Sequence, residues 1–307
     1  MKFVYLLFII FTPILLFWGC GDVSVNVDDN TYEPKIVVDG YLFPDEVPQN
    51  IKLARNYPLN SKIDLTQFYI TDAEVSITDI SKNNSCDLVF DPPTFSYKYP
   101  GKDFMVSYGN SYRLTVSAII DGKKLTTSSI TTVPEHGFRI SEENSFLGPI
   151  HFNEAVKNNQ KINIEFYRSP TTDSYAGSIV ALDASLDNFI EGNVFGIEKD
   201  VIDDMSNIDE MTLFNNLKNQ AYWSQTKLGE GDDLAQVNIE WFSTWFYGRY
   251  RVILYAADRN FTDYFLTHNQ IQEIDGNLLE PRFHFEGNGI GVFGSAVRDT
   301  VYFEIFR

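Results

Sequence analysis

The side chains able to do chemistry are scattered along this chain. Gly289-Ile-Gly291-Val-Phe-Gly294 has the G-x-G-x-x-G spacing that brings a helix N-terminus close to a dinucleotide pyrophosphate. That use needs a strand before the glycines, a helix after them and an acid about twenty residues on. Here the β-rich run SAVRDTVYFEI follows and the chain ends, so the segment reads as a glycine-rich turn or bulge. His136, His151, His268 and His284 show no H-x-x-x-H or H-E-x-x-H spacing and no cysteine cluster joins them, so zinc is not supported. Asp203-Asp204 with Asp209-Glu210, and separately Asp232-Asp233, could hold calcium, but neither fits a calcium loop with its central glycine; solvated loops are favoured. No G-x-S-x-G elbow is present, and 42 acidic residues single out no pair of carboxylates for glycoside hydrolysis. No catalytic residue, metal or cofactor is therefore assigned, and a non-enzymatic protein is expected. Trp223, Trp241, Trp245 and Tyr247, with Tyr222 and Tyr250, could form a stacking platform for a sugar or a groove for a peptide. Core packing explains these rings at least as well.

One cysteine carries a more specific signal. Lys2 precedes an apolar run from Phe3 to Trp18, broken only by Thr12 and Pro13, which stops at Gly19-Cys20. A basic start, an apolar stretch and a small residue at the cut make up a secretory signal. With Leu16 and Gly19 ahead of Cys20, the end of the run resembles the lipobox of bacterial lipoproteins, although Phe17 and Trp18 are bulkier than that motif prefers. The resemblance implies that Cys20 is the first mature residue and carries acyl chains such as palmitate. A membrane-spanning helix fits less well, because the run would cover about 24 Å against a hydrocarbon core of roughly 30 Å. An ordinary signal peptide cut nearby would need small side chains where Phe17 and Trp18 stand. Each buried CH₂ contributes about 0.8 kcal/mol, so one chain holds marginally, whereas the two or three chains usual in lipoproteins would anchor practically permanently.

Charge narrows the partners. The chain carries −18, and loss of residues 1–19 would remove Lys2 alone and make it one unit more negative. Nucleic acid is excluded as a partner class, since phosphate binding rests on Lys and Arg that are not concentrated here. With 44% hydrophobic and 15% aromatic residues the chain can bury a sizeable core. If Cys20 is acylated only Cys86 remains, so no intrachain disulfide can form, and Cys86 reads as a small buried hydrophobe.

The elements that must position these residues are mostly strands. Residues 20–34 read as an acidic tether after a signal at 1–19. In 35–134, KIVVDGYL (35–42) points Ile36, Val38 and Tyr41 inward, NIKLARN (50–56) points Ile51 and Leu53, and AEVSITDI (73–80) points Val75, Ile77 and Asp79. CDLVF, FSYKY and SYRLTVSAII follow, and Asp121-Gly122 makes a type I′ turn into KKLTTSSITTV. Short strands separated by turn residues predict an immunoglobulin-like or transthyretin-like β-sandwich. Gly, Pro and Asn punctuate 135–160, which reads as a connection. A larger β-rich domain with one or two helices is predicted over 161–307. It would pair KINIEFYR (161–168) with SYAGSIVALDA (174–184), place a helix within 201–220 capped by Ser206, and form two strands at 237–242 and 249–256. A helix capped by Asp258 over 259–274 and a closing strand at 300–306 complete it.

A lipoprotein-like start, then KIVVDGYL, AEVSITDI, GNSYRLTVSAIIDGKKLTTSSITTVPE and the late Gly289-Ile-Gly291-Val-Phe293-Gly294 together resemble the Bacteroidota lipoprotein family catalogued as domain of unknown function 4249. The similarity covers roughly 35–295. It implies an outer-membrane location, on either leaflet side, often beside TonB-dependent transporters, and no established catalytic activity. The expectation is a lipid-anchored protein of the outer envelope that binds a ligand or partner, with a structural or adhesive surface protein as the alternative and a hydrolase behind both.

Overall fold

Period-two alternation builds the predominant elements, the strands, in the computed structural model, which describes residues 32–58, 61–172, 174–192, 196–225, 234–268 and 281–307. Contacts group Pro34–Asn56 with Ile63–Arg307 as one unit. The other unit includes Tyr57–Lys62, where the Ser61 N–H and hydroxyl both donate to the Pro58 carbonyl at 3.2 and 2.7 Å.

In the larger unit, β1 (Ile36–Leu42) buries Ile36, Val38 and Leu42. Tyr41, expected inward, lies on the opposite face. Counting by twos from Ile36 gives the inward position to Gly40, where an added Cβ would sit 2.8 Å from Ile51 Cδ1. Then come β2 (Lys52–Arg55), β3 (Glu74–Asp79), β4 (Asn84–Asp91), β5 (Ser96–Lys98), β6 (Ser111–Ile120) and β7 (Lys123–Thr132). Val75, Ile77 and Asp79 do share the buried face of β3; Asp79 is tolerated there because Asn110 Nδ2 and the Lys82 N–H donate to it at 2.9 and 3.0 Å. The β6–β7 hairpin turns through Asp121 and Gly122 with φ of 51° and 74°, the positive pair that a type I′ turn requires.

The expected connection at 135–160 is folded instead. It contains β8 (Arg139–Phe146), β9 (Ile150–His151) and α1 (Phe152–Asn158). Phe138, Ile140, Ile150, Phe152 and Ala155 are buried among the turn residues, and that burial outweighs the glycine and proline signal. Downstream follow β10 (Lys161–Tyr167), β11 (Ser174–Ala181), α2 (Ile208–Lys218), β12 (Asn219–Gln225), β13 (Leu234–Glu240), β14 (Gly248–Ala257), α3 (Arg259–Thr267), β15 (Glu286–Gly287) and β16 (Gly289–Phe306). Two α-helices lie within 161–307 among the described residues, as expected there, and a third, α1, falls in the segment expected to be a connection. Asn207, not Ser206, caps α2 by accepting from the Asp209 N–H at 3.0 Å; Ser206 is held by Asp204 in the preceding turn. Asp258 caps α3 as its sequence predicts, accepting from the Phe261 N–H at 3.0 Å. The expected continuation of that helix past His268 lies outside the described residues.

Three sheets result among the described residues, and the fold is mainly β. β15-β7-β6-β3-β4-β5 form one and β13-β10-β8 a second. The third runs β12-β11-β14-β16-β1-β2, with β9 added beside β16. The strand expected to partner 161–168 therefore joins a different sheet, and β10 pairs with β8 and β13 instead. The glycine segment read as a turn opens a strand 18 residues long. Its first part runs parallel to β1, from Ile36↔Gly289 to Leu42↔Ser295, and its remainder runs antiparallel to β14. Two apolar cores divide close to residue 134: one spans Ile36 to Val133 plus Phe293, the other Phe138 to Ile305. The strand pairing crosses that division, because β1 and β2 complete a sheet whose other members come from the C-terminal half.

Candidate functional site

Of the rings singled out in the sequence, Trp245 and Tyr250 lie in the second core, and Trp241 and Tyr247 pack against it. Trp245 is buried and lies parallel to Phe189, centroids 6.4 Å apart. Tyr250 stacks on Phe303 at 4.8 Å; its hydroxyl donates to the Phe246 carbonyl at 2.8 Å and accepts the Phe246 N–H at 2.9 Å, and burial pushes its pKa well up. Trp241 and Tyr247 are half-buried and both meet Phe152 edge-on at 6.0 Å. Trp241 Nε1 donates to Asn159 Oδ1 at 3.3 Å, and the Arg307 guanidinium covers Tyr247 at 5.2 Å. A cavity of only about 10 Å³ lies beside Trp241, room for no more than one water. The backbone of Trp223 pairs with Ala176 in β12, but its side chain lies outside the described residues, as do Cys20 and Asp232-Asp233. Among the described residues no group of three or more His, Cys, Asp or Glu is placed to hold a metal. His284 Nε2 lies 2.8 Å from Asp263 Oδ2 and His268 stacks on Tyr264 at 4.5 Å. No described helix is long and apolar enough to cross a membrane.

A cleft of about 470 Å³ with a mixed polar and apolar lining opens where the two cores meet, a size common to small-ligand sites. Asp258 forms its floor. The chain turns there from β14 into α3, and the carboxylate gathers three elements. Oδ1 accepts from the Phe261 and Ser295 N–H groups at 3.0 and 3.1 Å, and Oδ2 accepts from the Thr131 hydroxyl at 2.6 Å. The Asp258 N–H returns a bond to the Ser295 carbonyl at 2.9 Å. Burial raises the Asp258 pKa, and these donors oppose the rise without cancelling it. Beside it the Asn260 amide donates to the Ile130 and Phe293 carbonyls at 2.7 and 2.8 Å, so α3, β7 and β16 are locked together.

The glycines of 289–294 make this junction possible. A Cβ on Gly291, whose φ is +102°, would lie 2.1 Å from the Val38 carbonyl oxygen, and one on Gly294 would lie 3.0 Å from Phe261 Cβ. They permit close backbone approach, with no bound phosphate required to explain them. One wall of the cleft comes from the end of β7 and Val133–Glu135, tied to the loop before β11. The Glu135 N–H donates to Thr171 Oγ1 at 3.0 Å, and Ser169 Oγ donates to the Glu135 carbonyl at 3.1 Å. The loop is itself fixed, since Thr172 Oγ1 donates to the Ala257 carbonyl at 2.7 Å and Tyr175 OH to the Thr172 carbonyl at 3.0 Å. The first turn of α3, with Arg259, Asn260 and Thr262, also lines the cleft. Neither Asp258 nor Glu135 stood out among 42 acids in the sequence; only the helix-capping position of Asp258 marked it.

A mainly β chain with two cores, stitched by a glycine-led strand, is the class of protein these observations define. The chain belongs to the family described as Domain of unknown function (DUF4249), whose model matches residues 22–300. No curated protein matches. Among solved structures, a 1.5-MDa bacterial ice-binding adhesin studied for host cell surface retention shares 9% identity over 89% of this chain, with a TM-score of 0.21. Trypsin-activated alpha-2-macroglobulin from Escherichia coli shares 10% over 89%, with a TM-score of 0.23. The chain spans 64% of the first and 16% of the second, and likeness this slight carries no argument about fold or function.

Proposed function

We propose that this is a lipid-anchored, non-enzymatic protein of the bacterial outer envelope that binds a ligand or partner at the outer membrane, as an accessory to a TonB-dependent transporter. The observation that carries the reading is the apolar run Phe3–Trp18 stopping at Gly19-Cys20, the layout of a lipoprotein signal. Acyl chains on Cys20 would hold the folded body close to the bilayer, because Gly21–Pro34 can reach at most about 50 Å even fully extended. The outer-membrane location and the transporter role both rest on family analogy.

Cell fractionation tests the anchor. A Cys20→Ala protein should fold and move to the soluble fraction; if it stays in the membrane pellet, acylation is the wrong explanation. Purification from detergent-solubilised membranes tests the partner. A transporter should come along, and recovery of the protein alone each time would favour a structural or adhesive surface role.

A further inference from the structure

The tip of the β4–β5 hairpin holds a large ring where the backbone disfavours one. Asp91-Pro92-Pro93-Thr94-Phe95 joins the two strands, and Phe95 sits at φ +48°. Glycine or asparagine suits that left-handed region, and a bulky residue there is an outlier. Burial does not compensate for it, because Phe95 is 53% exposed. A ring kept at the surface against local preference points to a use for the ring. It is also not alone. Tyr69, itself exposed, lies 5.5 Å from it, Phe68 meets Tyr69 edge-on at 5.0 Å, and Phe90 meets Phe95 edge-on at 6.3 Å. These four rings form one continuous patch at the rim of the first core, joined to it through the buried Tyr97, 5.5 Å from Phe90.

The tip is prepared to leave water. Pro92 and Pro93 carry no N–H, and the Thr94 and Phe95 N–H groups donate to the Asp91 and Pro92 carbonyls at 3.2 and 3.4 Å. The Thr94 hydroxyl donates to the Asp91 carboxylate at 2.7 Å, and Lys98 Nζ lies 2.7 Å from the same group. Every N–H from Pro92 to Phe95 is thus absent or bonded, and the acid at the turn is paired, which lowers the cost of entering an apolar medium. A sugar would need several convergent polar groups beside the rings, and here those groups are spent inside the turn.

The patch also lies beside the point where the N-terminal segment joins the fold. The Lys35 N–H donates to Asn56 Oδ1 at 2.7 Å, Ile36 pairs with Arg55, the Arg55 N–H donates to the Phe68 carbonyl at 3.1 Å, and Ala54 bridges to Tyr69. From the start of β1 to Phe68 and Tyr69 is two strand spacings, about 10 Å. Acyl chains on Cys20 would therefore bring the bilayer to this side of the body at high local concentration, where a weak apolar contact suffices. The net charge of −18 disfavours anionic surfaces, so the lipid face that fits is a neutral one.

We infer that the hairpin tip, led by Phe95 and Tyr69, docks into the interface of a zwitterionic phospholipid bilayer and fixes how the anchored body sits on it. The inference rests on the anchoring reading for what brings the bilayer within reach.

The test uses the full-length protein in phosphatidylcholine vesicles, with and without bromine on the acyl chains as a short-range quencher. Phe95→Trp and Tyr69→Trp each place an indole in the patch, and Tyr302→Trp places one on β16 at a position 60% exposed. Emission of each variant minus that of wild type isolates the added indole. Bromolipid should quench the indoles at 95 and 69 at least roughly twofold more than the one at 302. Combined with Tyr69→Trp, Phe95→Asn should cut that quenching by roughly half, since Asn suits the turn but removes the ring. Tyr69→Trp leaves the turn untouched, so misfolding of Phe95→Trp does not spoil the comparison. Quenching at 95 and 69 no greater than at 302, or quenching at 69 unchanged by Phe95→Asn, overturns the inference. Indoles unquenched by bromolipid but shielded from iodide in protein purified with its partners would give the patch to a protein partner, and the lipid reading falls. Fractionation of the Cys20→Ala protein judges the anchor separately, so an anchored protein with unquenched indoles refutes this inference alone.

Discussion

Replacing Asp258 with Ala should destabilise the protein by about 2–4 kcal/mol, and the number can be built from its bonds. Loss of an Asp helix cap to Ala costs about 1 kcal/mol. The Ser295 N–H, on a fully buried residue, would lose its bond to Oδ1, at about 1–3 kcal/mol. The Thr131 hydroxyl adds little, because Ser295 Oγ lies 2.7 Å away and can take its proton. Against this, the substitution removes a buried charge whose raised pKa shows that the fold holds it at a cost. At about 2–4 °C per kcal/mol for a domain of this size, the melting temperature should fall by roughly 5–15 °C. Asp258→Asn separates shape from charge. Its amide oxygen can still accept from Phe261 and Ser295, while its amide nitrogen donates to Thr131, which passes its own proton to Ser295. The Asn protein should therefore lose less than about 1.5 kcal/mol at neutral pH. The pH dependence has a definite sign. A carboxyl whose folded pKa is raised above 3.8 binds its proton more tightly in the fold than in the unfolded chain. Its stabilisation is therefore greatest below 3.8 and is lost as pH rises through the raised folded value. Urea unfolding of wild type and Asp258→Asn, followed by tryptophan fluorescence from pH 4 to pH 7, isolates this group by difference. Wild type should lose stability relative to Asn as pH rises. An Ala variant within about 1 kcal/mol of wild type, or a wild-type-minus-Asn difference that is flat or rises with pH, would refute the argument.

Three further outcomes follow from single positions. Gly291→Ala should prevent normal pairing of β1 with β16, because left-handed backbone strain of about 1–2 kcal/mol is joined by a contact with the Val38 carbonyl; soluble yield and melting temperature report it. Tyr250→Phe should cost about 1–3 kcal/mol in denaturant unfolding, since the buried Phe246 N–H and carbonyl both lose their partner. Cys86, buried and with its thiol pKa pushed up to about 12 chiefly by desolvation, should resist a thiol reagent at pH 8 in the native protein. After denaturation the mature protein should show one reactive thiol if Cys20 is acylated and two if it is not.

What could be read from the sequence was what local pattern controls. Val75, Ile77 and Asp79 fall on one face of β3 because period two leaves no choice once the first is inward. Asp121-Gly122 makes its turn because both residues tolerate positive φ. Asp258 caps α3 because an acid followed by an apolar-periodic run is a local instruction. The errors lie where a long-range partner decides. Tyr41 reads as inward in the sequence, yet strand parity and the Ile51 methyl at Gly40 decide that Leu42 goes in. Residues 135–160 show turn signals on their surface side, while Phe138, Ile140, Ile150 and Phe152 are recruited by a core whose other members lie up to Ile305.

The same distinction explains why the aromatic run suggests a platform while no acid in the sequence points to the cleft. Trp245 and Tyr250 lie within six residues of each other, so their proximity was visible, but whether a ring faces solvent is set by Phe189 and Phe303 far along the chain. Glu135, Asp258 and Arg259 come together only because β16 reaches across both cores, parallel to β1 at one end and antiparallel to β14 at the other. That crossing needs Gly289, Gly291 and Gly294 to admit Thr127, the Val38 backbone and Phe261 at distances no Cβ allows comfortably. A glycine triplet that resembles a phosphate loop thus acts at one remove. It contacts no ligand in this reading, yet without it the strand could not pass, Ser295 could not reach Asp258, and the cleft would have no floor.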